Sequence, residues 1–428
     1  MAAGPDVRRE RNRARVVAAL REAGAASRSE LARRTGLSRT TVASIVSELE
    51  GEGMLKERED GAGGSPQGGG ASPQGGRPPR LLSFSRSAGA AVGIDFGKRH
   101  LRVAAADLSH TILASAERPT RTDDPAETGL DTASELVEEV LAEAEVPRRD
   151  VIGVGLGLPG PIDMRSGRVG SSSILPGWVG VRAAEAFSSR LGMPVYVDND
   201  ANLGALAELR WGGAAGCRNA AYLKVSTGIG AGLIVNGRLF HGSGGMAGEI
   251  GHAIIQEQGP VCRCGKRGCL ETLAGAAALL ELLRGTHGPD LTTQGLLAAA
   301  ASGDSGARRV LADAGRHIGT AVATLCDLLN PELIVVGGEL SAAGEVLLDP
   351  LREQVHRHAI PATARGLEIV PGVLGNRAEL LGTLALVLAS DEAATEGGDE
   401  PTAAPAGGER RRPSHLGVPY EHQDVTVA

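Results

Sequence analysis

Three cysteines and one histidine stand close together in this sequence and offer the clearest chemistry along the chain. They are His252, Cys262, Cys264 and Cys269. One imidazole and three thiolates form the ligand set of a closed, tetrahedral structural zinc site. Gly265 and Gly268 allow the chain to turn tightly enough for the three sulfurs to face one point. Glu249 and Glu271 flank the cluster, and because they are not needed as ligands they are free for other chemistry beside a rigid loop.

Chance and a disulfide are the two other origins to consider for this cluster. The chain has five cysteines in 428 residues, so chance does not readily place three of them within eight positions. Disulfide frameworks belong to small secreted domains, and nothing in the sequence indicates secretion. Cys217 and Cys326 stand alone and are predicted to be buried as small apolar residues. The spacing therefore favours zinc over both alternatives.

Length and composition limit the class of protein. A chain of 428 residues should hold two or three domains. Its 42% hydrophobic content and mean hydropathy of −0.04 are typical of a globular protein with large cores. The longest apolar runs, such as residues 384–389, are far shorter than a membrane span. No targeting segment is visible, so we expect a cytoplasmic protein without a membrane partner.

The charge is distributed unevenly along the chain. Residues 1–80 carry fourteen Arg and Lys against ten Asp and Glu, whereas the remainder carries thirty against forty-one. A basic segment attached to an acidic body indicates that the amino-terminal part meets a polyanion.

Two shifts in composition suggest domain boundaries. Residues 61–76 contain Ser-Pro-Gln-Gly-Gly twice among further glycines, which predicts a flexible loop. From residue 391 the chain is rich in Ala, Glu, Gly and Pro, which predicts a disordered tail. We therefore predict a first domain over residues 1–84, a body over 88–390 and a tail over 391–428.

Short apolar strand patterns alternate with helix patterns through the body. Strand patterns cover residues 90–94, 101–106, 151–156, 195–197, 220–224, 232–235 and 333–336. Helix patterns cover residues 130–144, 201–209 and 307–329. This alternation predicts an α/β fold with largely buried sheets.

Residues 9–55 have the capping and turn residues typical of a helix-turn-helix. A first helix is predicted over residues 13–23, and Gly24 ends it. A capping box, in which Ser27 and Glu30 satisfy each other's backbone donors, opens a short second helix.

A third helix is predicted to follow the turn at residues 35–37, with Ser38 as its cap. Its apolar stripe consists of Val42, Ile45, Val46 and Leu49. Its opposite face presents Arg39, Thr40, Thr41 and Ser44. Such donors suit phosphates and base edges in a DNA major groove. The alternative is a three-helix bundle that binds a protein, but cap, turn and basic face occur together and favour DNA.

A wing is predicted behind this third helix. One strand follows Gly53, a second covers residues 80–84, and Arg77 and Arg80 lie at the base between them. The repeats at 61–76 would lengthen the wing tip at a modest cost in loop entropy. Together with the helices, this pattern indicates a winged helix-turn-helix in which both arginines contact DNA.

Five motifs that follow the winged helix resemble the ROK family of repressors and sugar kinases, which share a two-lobed, actin-like fold (the sugar kinase and ribonuclease H-like architecture). They are Asp95-Phe96-Gly97, residues 157–163, residues 198–202, residues 227–232 and the histidine and cysteine segment. The resemblance covers about residues 10–390 in the family's order. The metal segment is its most specific motif, because each of the others is common on its own.

The resemblance implies a sugar site between the two lobes. The matching residues are Asn199, Asp200, Glu249, His252 and Glu271. Several carboxylates that converge on a cleft suit a polyhydroxylated ligand, because each accepts hydrogen bonds from hydroxyls. His252 would bind the metal through one ring nitrogen and a sugar hydroxyl through the other. Without the other motifs, Asp198 and Asp200 would be interpreted as a solvated loop before a helix.

The same resemblance raises the question of kinase activity. In kinases of this family, the residue matching Asp200 is the general base. Their first phosphate loop reads Asp-x-Gly-Gly-Thr, but here Lys98 and Arg99 replace the second glycine and the threonine, and their bulk should obstruct a backbone cradle. The second loop at 227–232 remains intact. We therefore expect a degenerate nucleotide site and a largely retained sugar site. The nucleotide site would comprise Asp95, Gly97, Thr227, Gly228 and Gly230.

Together these features predict a DNA-binding transcriptional regulator, a repressor of genes for carbohydrate uptake or metabolism. Its partners would be a double-stranded DNA operator and a sugar or sugar phosphate, its metal a structural zinc ion, and its assembly a homodimer or homotetramer. The alternative is an active sugar kinase of the hexokinase or glucokinase type, using ATP and Mg²⁺, with a DNA-binding head and Asp200 as the catalytic base. A third hypothesis is a scaffold with a vestigial cleft that a protein partner regulates.

Overall fold

The computed structural model describes residues 5–58, 80–85, 88–98, 100–120, 125–170 and 176–395. Four of the predicted features lie outside the described residues. They are the wing insertion at 61–76, Arg77, Arg99 and the tail beyond residue 395.

The described chain forms helices and strands in the following order. The helices are α1 (Pro5–Ala23), α2 (Arg28–Thr35), α3 (Arg39–Gly51), α4 (Ala126–Glu143), α5 (Ala183–Leu191), α6 (Asp200–Trp211), α7 (Leu270–Ala274), α8 (Ala276–His287), α9 (Thr293–Ala301), α10 (Ser305–Leu329), α11 (Glu345–His358), α12 (Pro361–Ala364) and α13 (Ala378–Thr395). The strands are β1 (Leu55–Arg58), β2 (Leu81–Phe84), β3 (Ala90–Phe96), β4 (His100–Asp107), β5 (Ile112–Pro119), β6 (Val151–Leu158), β7 (Ile162–Asp163), β8 (Arg168–Val169), β9 (Val195–Asn199), β10 (Ala220–Val225), β11 (Ile229–Val235), β12 (Arg238–Leu239), β13 (Leu333–Gly337) and β14 (Glu368–Pro371). Among them, no helix is long and apolar enough to cross a membrane.

The amino-terminal head, which comprises residues 5–58 and 80–85, consists of α1–α3 and the antiparallel pair β1–β2. Ser27 caps α2 by accepting a hydrogen bond from the backbone N–H of Glu30 at 3.2 Å, and Ser38 caps α3 in the same way. The reciprocal half of the predicted capping box is replaced, because the Glu30 carboxylate accepts from Arg34 at 3.1 Å. The apolar stripe of α3 is buried as predicted.

Helix α1 begins at Pro5, well before the predicted start at residue 13. Proline is favoured in the first turn of a helix because its missing N–H is not needed there. An ion pair connects this half of α1 to α3, because Arg9 lies 2.8 Å from Glu48. At the predicted start, Arg13 lies 2.6 Å from Glu52, the residue that caps the end of α3. Hydrophobic periodicity does not detect such a segment.

The body contains two five-stranded mixed sheets. The first has the strand order β5-β4-β3-β6-β9 and the second has β12-β11-β10-β13-β14. In the first sheet β3 is antiparallel to β4 and parallel to β6, and in the second β10 is antiparallel to β11 and parallel to β13. One core joins the first sheet to α4 and α5, and another joins the second sheet to α7–α11.

Helices α6 and α13 connect the two sheets. Helix α6 packs on β10 and β11, α13 packs on β3 and β6, and the two helices pack on each other. The predicted tail boundary is wrong by a few residues, because α13 continues past residue 391 to Thr395. Near this end, Leu388 joins the apolar core of the head. The end of the body is therefore part of its contact with the head.

Candidate ligand cleft and metal centre

A cavity of about 150 Å³ lies between the two lobes. Of the predicted site residues, it is lined by Gly97, Asn199, Asp200, Thr227, Gly228, Gly230, Glu249, His252 and Glu271. We call Asn199, Asp200, Glu249, His252 and Glu271 the sugar side of this cleft. We call Gly97, His100, Thr227, Gly228 and Gly230 its phosphate side. A second cavity of about 320 Å³ lies beside α11 and β14 and contains none of the predicted site residues.

Asn199 and Asp200 lie where β9 passes directly into α6. Asn199 caps the helix, because its side-chain oxygen accepts from the backbone N–H of Ala201 at 2.9 Å. Asp198 is only 4% exposed and accepts from the backbone N–H of Asn199 at 2.7 Å and from the side chain of Asn202 at 2.8 Å. The alternative interpretation of this segment as a solvated loop is therefore wrong. Buried hydrogen bonds fix the direction in which Asn199 and Asp200 point.

Asp198 also connects the two lobes. Its second carboxylate oxygen lies 2.7 Å from Nε2 of His241, which follows β12 in the second sheet. This hydrogen bond raises the pKa of His241 above its usual range, and the negative charge of Asp198 adds to the effect. The segment that begins at His241 leads directly to Glu249, so this pair ties both parts of the sugar side together.

Lys224 reaches Asp200 from β10. Its Nζ atom lies 2.8 Å from the Asp200 carboxylate and 3.5 Å from that of Glu379, and the side chains of Lys224 and Asp200 are 17% and 13% exposed. Burial alone would lower the pKa of Lys224, but the nearby charges of Asp200 and Glu379 outweigh it and raise the pKa. Lys224 is therefore charged, and Asp200 faces an ammonium group within the cleft.

Glu271 has two partners inside the cleft. One carboxylate oxygen accepts from Arg263 at 2.6 Å, and the other accepts from the backbone N–H of Ile229 at 3.3 Å. A ligand hydroxyl at Glu271 would therefore share the carboxylate with Arg263. The cleft walls desolvate Glu249 and raise its pKa, and the charges of Asp200 and Glu271 raise it further.

The four predicted metal ligands converge on one point, and their ligand atoms all lie within 4.8 Å of one another. The sulfurs of Cys264 and Cys269 are 3.6 Å apart, and Nδ1 of His252 lies 3.5 Å from the sulfur of Cys262. Tetrahedral coordination with metal–sulfur bonds of about 2.3 Å places sulfurs about 3.8 Å apart, so the donor set fits zinc. The other ring nitrogen of His252 lies 3.8 Å from Glu249, on the cleft side.

The first phosphate loop is filled by a side chain that sequence analysis did not name. A Cβ atom built on Gly97 would lie 2.1 Å from the ring of His100, so the imidazole occupies the space directly over this glycine. Nε2 of His100 lies 3.2 Å from the buried carboxylate of Asp95, and this hydrogen bond lowers the pKa of Asp95 although burial opposes the shift. The Lys98 side chain is exposed. His100 therefore fills the space over Gly97, Lys98 also lines the cavity, and Arg99 lies outside the described residues.

The second loop keeps its glycines for reasons of packing. A Cβ atom on Gly232 would lie 2.4 Å from the backbone oxygen of Ala201, and one on Gly230 would lie 3.2 Å from the Ala201 side chain. Helix α6 can approach β11 this closely only because these residues lack side chains. The intact second loop therefore does not by itself indicate a nucleotide.

The outward face of α3 carries the predicted DNA contacts. Arg39, Thr40 and Ser44 are exposed. Thr41 is half-buried, and its hydroxyl lies 2.8 Å from that of Ser38 at the helix cap. Arg39, Thr40 and Ser44 are thus accessible on the surface of α3, whereas the Thr41 hydroxyl contacts the helix cap.

The described part of the wing adds one arginine to this region. Arg80 is 56% exposed and pairs with Glu57 across the β1–β2 ladder. A DNA phosphate would have to compete with Glu57 for this guanidinium.

Five residues that line or support the cleft were not predicted in these roles from the sequence. They are His100, Asp198, Lys224, His241 and Arg263. The usable signals were a single lysine inside an otherwise apolar strand pattern, and an arginine placed between two metal ligands. The contacts of His100 and His241 depend on residues brought together by folding.

Two mixed sheets, a cleft between them and an amino-terminal winged helix define a two-lobed α/β protein with a DNA-binding domain. The family model described as "ROK family" matches residues 91–390, and a winged helix-turn-helix DNA-binding model matches residues 9–56. The chain belongs to the ROK family, as the sequence motifs predicted.

The relatives that resemble this chain include both repressors and sugar kinases. A xylose repressor from Caldicellulosiruptor bescii is 30% identical over 375 residues, which cover 85% of this chain and 91% of the relative. A glucokinase from Halalkalibacterium halodurans is 35% identical over 307 residues, which cover 68% of this chain and 92% of the relative. The solved structure of a ROK family transcriptional regulator, described as a homologue of the Escherichia coli MLC protein, has a TM-score of 0.70 and 24% identity and covers 92% of this chain and 98% of its own. At that identity, the likeness concerns the fold alone.

Proposed function

We propose that this protein is a DNA-binding transcriptional regulator, a repressor of carbohydrate uptake or metabolism genes, whose cleft senses a sugar or sugar phosphate. The observation that carries the proposal is one chain with an exposed Arg39, Thr40 and Ser44 face on α3 and a polar cleft in the body. The likeness to the xylose repressor extends over the head and the body, which supports it. The protein would act in the cytoplasm, where its DNA operator lies.

The sugar side supports binding of a polyhydroxylated ligand. Asn199 and Asp200 approach the cavity from the junction of β9 and α6, Glu249 and His252 approach from the opposite lobe, and Glu271 adds a carboxylate. Carboxylates accept and amides both donate and accept, so together they match hydroxyl groups. Because the residues come from both lobes, a bound ligand would hold the lobes at a fixed separation.

We propose that zinc, bound by His252, Cys262, Cys264 and Cys269, is structural. The donor set is a complete tetrahedral shell without an open position, so it leaves no place for a metal-bound water or substrate. When bound, the metal would supply rigidity. It would hold His252 with Nε2 directed to the cleft, and it would hold the loop from which Arg263 reaches Glu271.

Helix α13 offers a physical connection between cleft and head. Near its start, Glu379 lies 3.5 Å from Lys224, and near its end, Asp391 accepts a hydrogen bond from Arg21 of α1 at 2.7 Å. A Cβ atom on Gly155 of β6 would lie 2.0 Å from the α13 backbone at Thr383, so the helix packs directly on the sheet. A change at the cleft that moves α13 would therefore reach the head. Whether a bound sugar weakens or strengthens DNA binding depends on which conformation the sugar and the DNA each prefer.

A regulator of this kind would act as a homodimer or homotetramer. A winged helix reads a short half-site, and two symmetric half-sites require at least two copies. The spacing between the two heads would then be the quantity that a sugar in the cleft changes.

The second candidate is an active ATP-dependent sugar kinase with a DNA-binding head. Asp200 at the start of α6, in the position of the family's general base, favours it, and so does the likeness to a glucokinase. An assay of ADP release over a panel of hexoses, with Asp200→Asn as control, separates the two functions. Turnover that this substitution abolishes would establish the kinase.

The primary proposal is tested by DNA binding. Purified protein should bind the DNA upstream of its own coding region with sequence preference, and its affinity should fall steeply as salt rises. A sugar or sugar phosphate from a broad panel should change that affinity. The proposal would be refuted if the protein showed no sequence-preferring, salt-sensitive binding to this DNA.

A further inference from the structure

On the phosphate side of the cleft, the access of a phosphate group to the backbone of Gly97 is obstructed by the ring of His100. The backbone N–H of Gly97 donates to the backbone oxygen of His100 at 2.8 Å, which closes a tight turn, and the His100 ring then lies against Gly97. A phosphate that approached the loop backbone from the cavity would meet this ring. Nε2 of His100 lies within hydrogen-bonding distance of the Asp95 carboxylate, which is 2% exposed. This contact holds the ring in that place.

The sugar side carries a second obstruction, at the carboxylate that would act as a base. One oxygen of Asp200 lies against the Lys224 ammonium, and the other accepts from the backbone N–H of Ala201 at 2.8 Å. A general base must have a lone pair directed at the hydroxyl proton that it removes. Because the Lys224 ammonium and the Ala201 N–H each engage one oxygen of Asp200, a substrate hydroxyl would have to compete with them for the carboxylate.

Lys224 fits its position because of its neighbours in the sheet. It pairs in register with Gly230 on β11 and with Gly337 on β13, so no side chain flanks it in the ladder. Lys224 is thus built into the second sheet and directed at Asp200 and Glu379. The pair is a fixed feature of the cleft.

We propose that His100 and Lys224 are the two residues that exclude phosphoryl transfer from this cleft, His100 by occupying the phosphate position at Gly97 and Lys224 by engaging Asp200. This inference rests on the proposed function, because it explains how a kinase-like cleft serves only as a sensor. The transfer that is excluded would form a bond between a sugar hydroxyl oxygen and the γ-phosphorus of ATP. It would break the bond from that phosphorus to the β,γ-bridging oxygen, release ADP and give the hydroxyl proton to Asp200.

The His100 half is tested by nucleotide binding to the full chain. The probe is a fluorescent ADP analogue with Mg²⁺, and the variant is His100→Ala. We expect the variant to bind at least about tenfold more tightly than the wild-type protein, because the ring no longer fills the space over Gly97. His317→Ala, a half-buried histidine of α10 outside the cleft, is the matched control and should bind like wild type. Equal affinity of His100→Ala and wild type, with equal melting temperatures, overturns this half.

The Lys224 half is tested by turnover. In the His100→Ala background, Lys224→Thr should raise sugar-dependent ADP release from ATP by at least about tenfold over a panel of pentoses and hexoses. Adding Asp200→Asn should abolish the gain. Lys224→Arg, which keeps a cation beside Asp200, should show no gain, and its melting temperature reports whether the site tolerates substitution. Equal rates with and without Lys224→Thr, or a gain that survives Asp200→Asn, overturn this half.

The same samples separate this inference from the proposed function. DNA binding by the wild-type protein and its response to sugars test the regulator. Nucleotide affinity and turnover of the variants test His100 and Lys224. If the wild-type protein binds its DNA but the variants gain neither nucleotide binding nor turnover, the proposed regulator function stands. The roles inferred for His100 and Lys224 are then refuted.

Discussion

The two sides of the cleft differ in how they hold their residues. The sugar side is supported by a capped helix, an interlobe pair between Asp198 and His241, and a loop with a complete metal ligand set. On the phosphate side, His100 fills the space over Gly97, and a Cβ atom on Gly228 would lie 2.4 Å from the Glu271 carboxylate. The comparison teaches that a kinase-like backbone can persist through packing needs alone, while a few side chains decide what the cleft can do.

The largest effect should come from the metal support of the sugar side. Cys264→Ser removes an exposed ligand without disturbing the core, and we expect bound zinc to fall from one ion per chain to nearly none. Affinity for the effector sugar should fall by about 100-fold, because His252 and Arg263 lose their fixed positions. Metal analysis and calorimetry on the same samples measure both quantities.

The matched control is Cys217→Ser, which removes a half-buried thiol outside the metal cluster. It should keep both zinc and ligand affinity. Wild-type ligand affinity in zinc-free Cys264→Ser would break the connection between metal and pocket.

The next effect compares the two sides directly. Glu249→Gln on the sugar side should weaken sugar binding by about 10- to 100-fold, because a charged acceptor is lost where its neighbours are desolvated. Thr227→Val on the phosphate side should leave the affinity within about twofold, since the proposed sugar contacts are those of the sugar side. Calorimetric titration measures both variants. The comparison is contradicted if Thr227→Val weakens binding as much as Glu249→Gln does.

A smaller effect should extend the comparison from the cleft to the head. Arg21→Gln removes the contact with Asp391 at the end of α13, and we expect the ratio of DNA affinities without and with sugar to shrink by about fivefold. Sugar binding to the isolated protein should be unchanged. Fluorescence anisotropy with labelled operator DNA measures the ratio.

Arg316→Gln removes a surface pair with Asp313 on α10 and serves as the control for charge loss. The double variant Arg21→Gln/Asp391→Asn should match Arg21→Gln alone, because both remove the same contact. An unchanged ratio in Arg21→Gln would remove α13 from the account.

The smallest effect concerns the pH dependence of stability. Asp198 raises the pKa of His241, so the pair stabilises the folded protein fully below the unfolded histidine pKa of about 6.5, and this stabilisation is lost as pH rises through the folded pKa. His241→Gln should therefore reduce the difference in Tm between pH 6 and pH 8 by about 1–3 °C. Calorimetric scans at the two pH values check this, and a difference in Tm equal to that of wild type would refute the role of the pair.

The elements and site residues that could be predicted from the sequence are those with strong local signals. Buried strands such as β3 and β13 show as apolar runs, and Ser27 and Ser38 show as helix caps. The metal ligands show as a cluster of rare residue types. These features depend on neighbours in sequence, so they do not require knowledge of the fold.

The elements and contacts that the sequence did not predict depend on residues far apart along the chain. The edge strands β5 and β14 are only partly buried and lack a clear apolar pattern, and an ion pair connects the first half of α1 to α3. Lys224 and Asp200 are 24 residues apart, and His241 and Asp198 are 43 apart, so their pairing follows from the fold alone. The composition of the sugar side was predictable, but what its carboxylates contact was not.

One measurement tests the central claim, that this cleft senses a sugar and does not phosphorylate it. Wild-type protein is titrated onto its own upstream DNA in the presence of ATP and Mg²⁺ with each of a panel of sugars and sugar phosphates, while ADP release is followed in the same samples. The account predicts that at least one ligand changes the DNA affinity and that no sugar produces ADP. ADP production that Asp200→Asn abolishes, or DNA binding that no ligand changes, would contradict it.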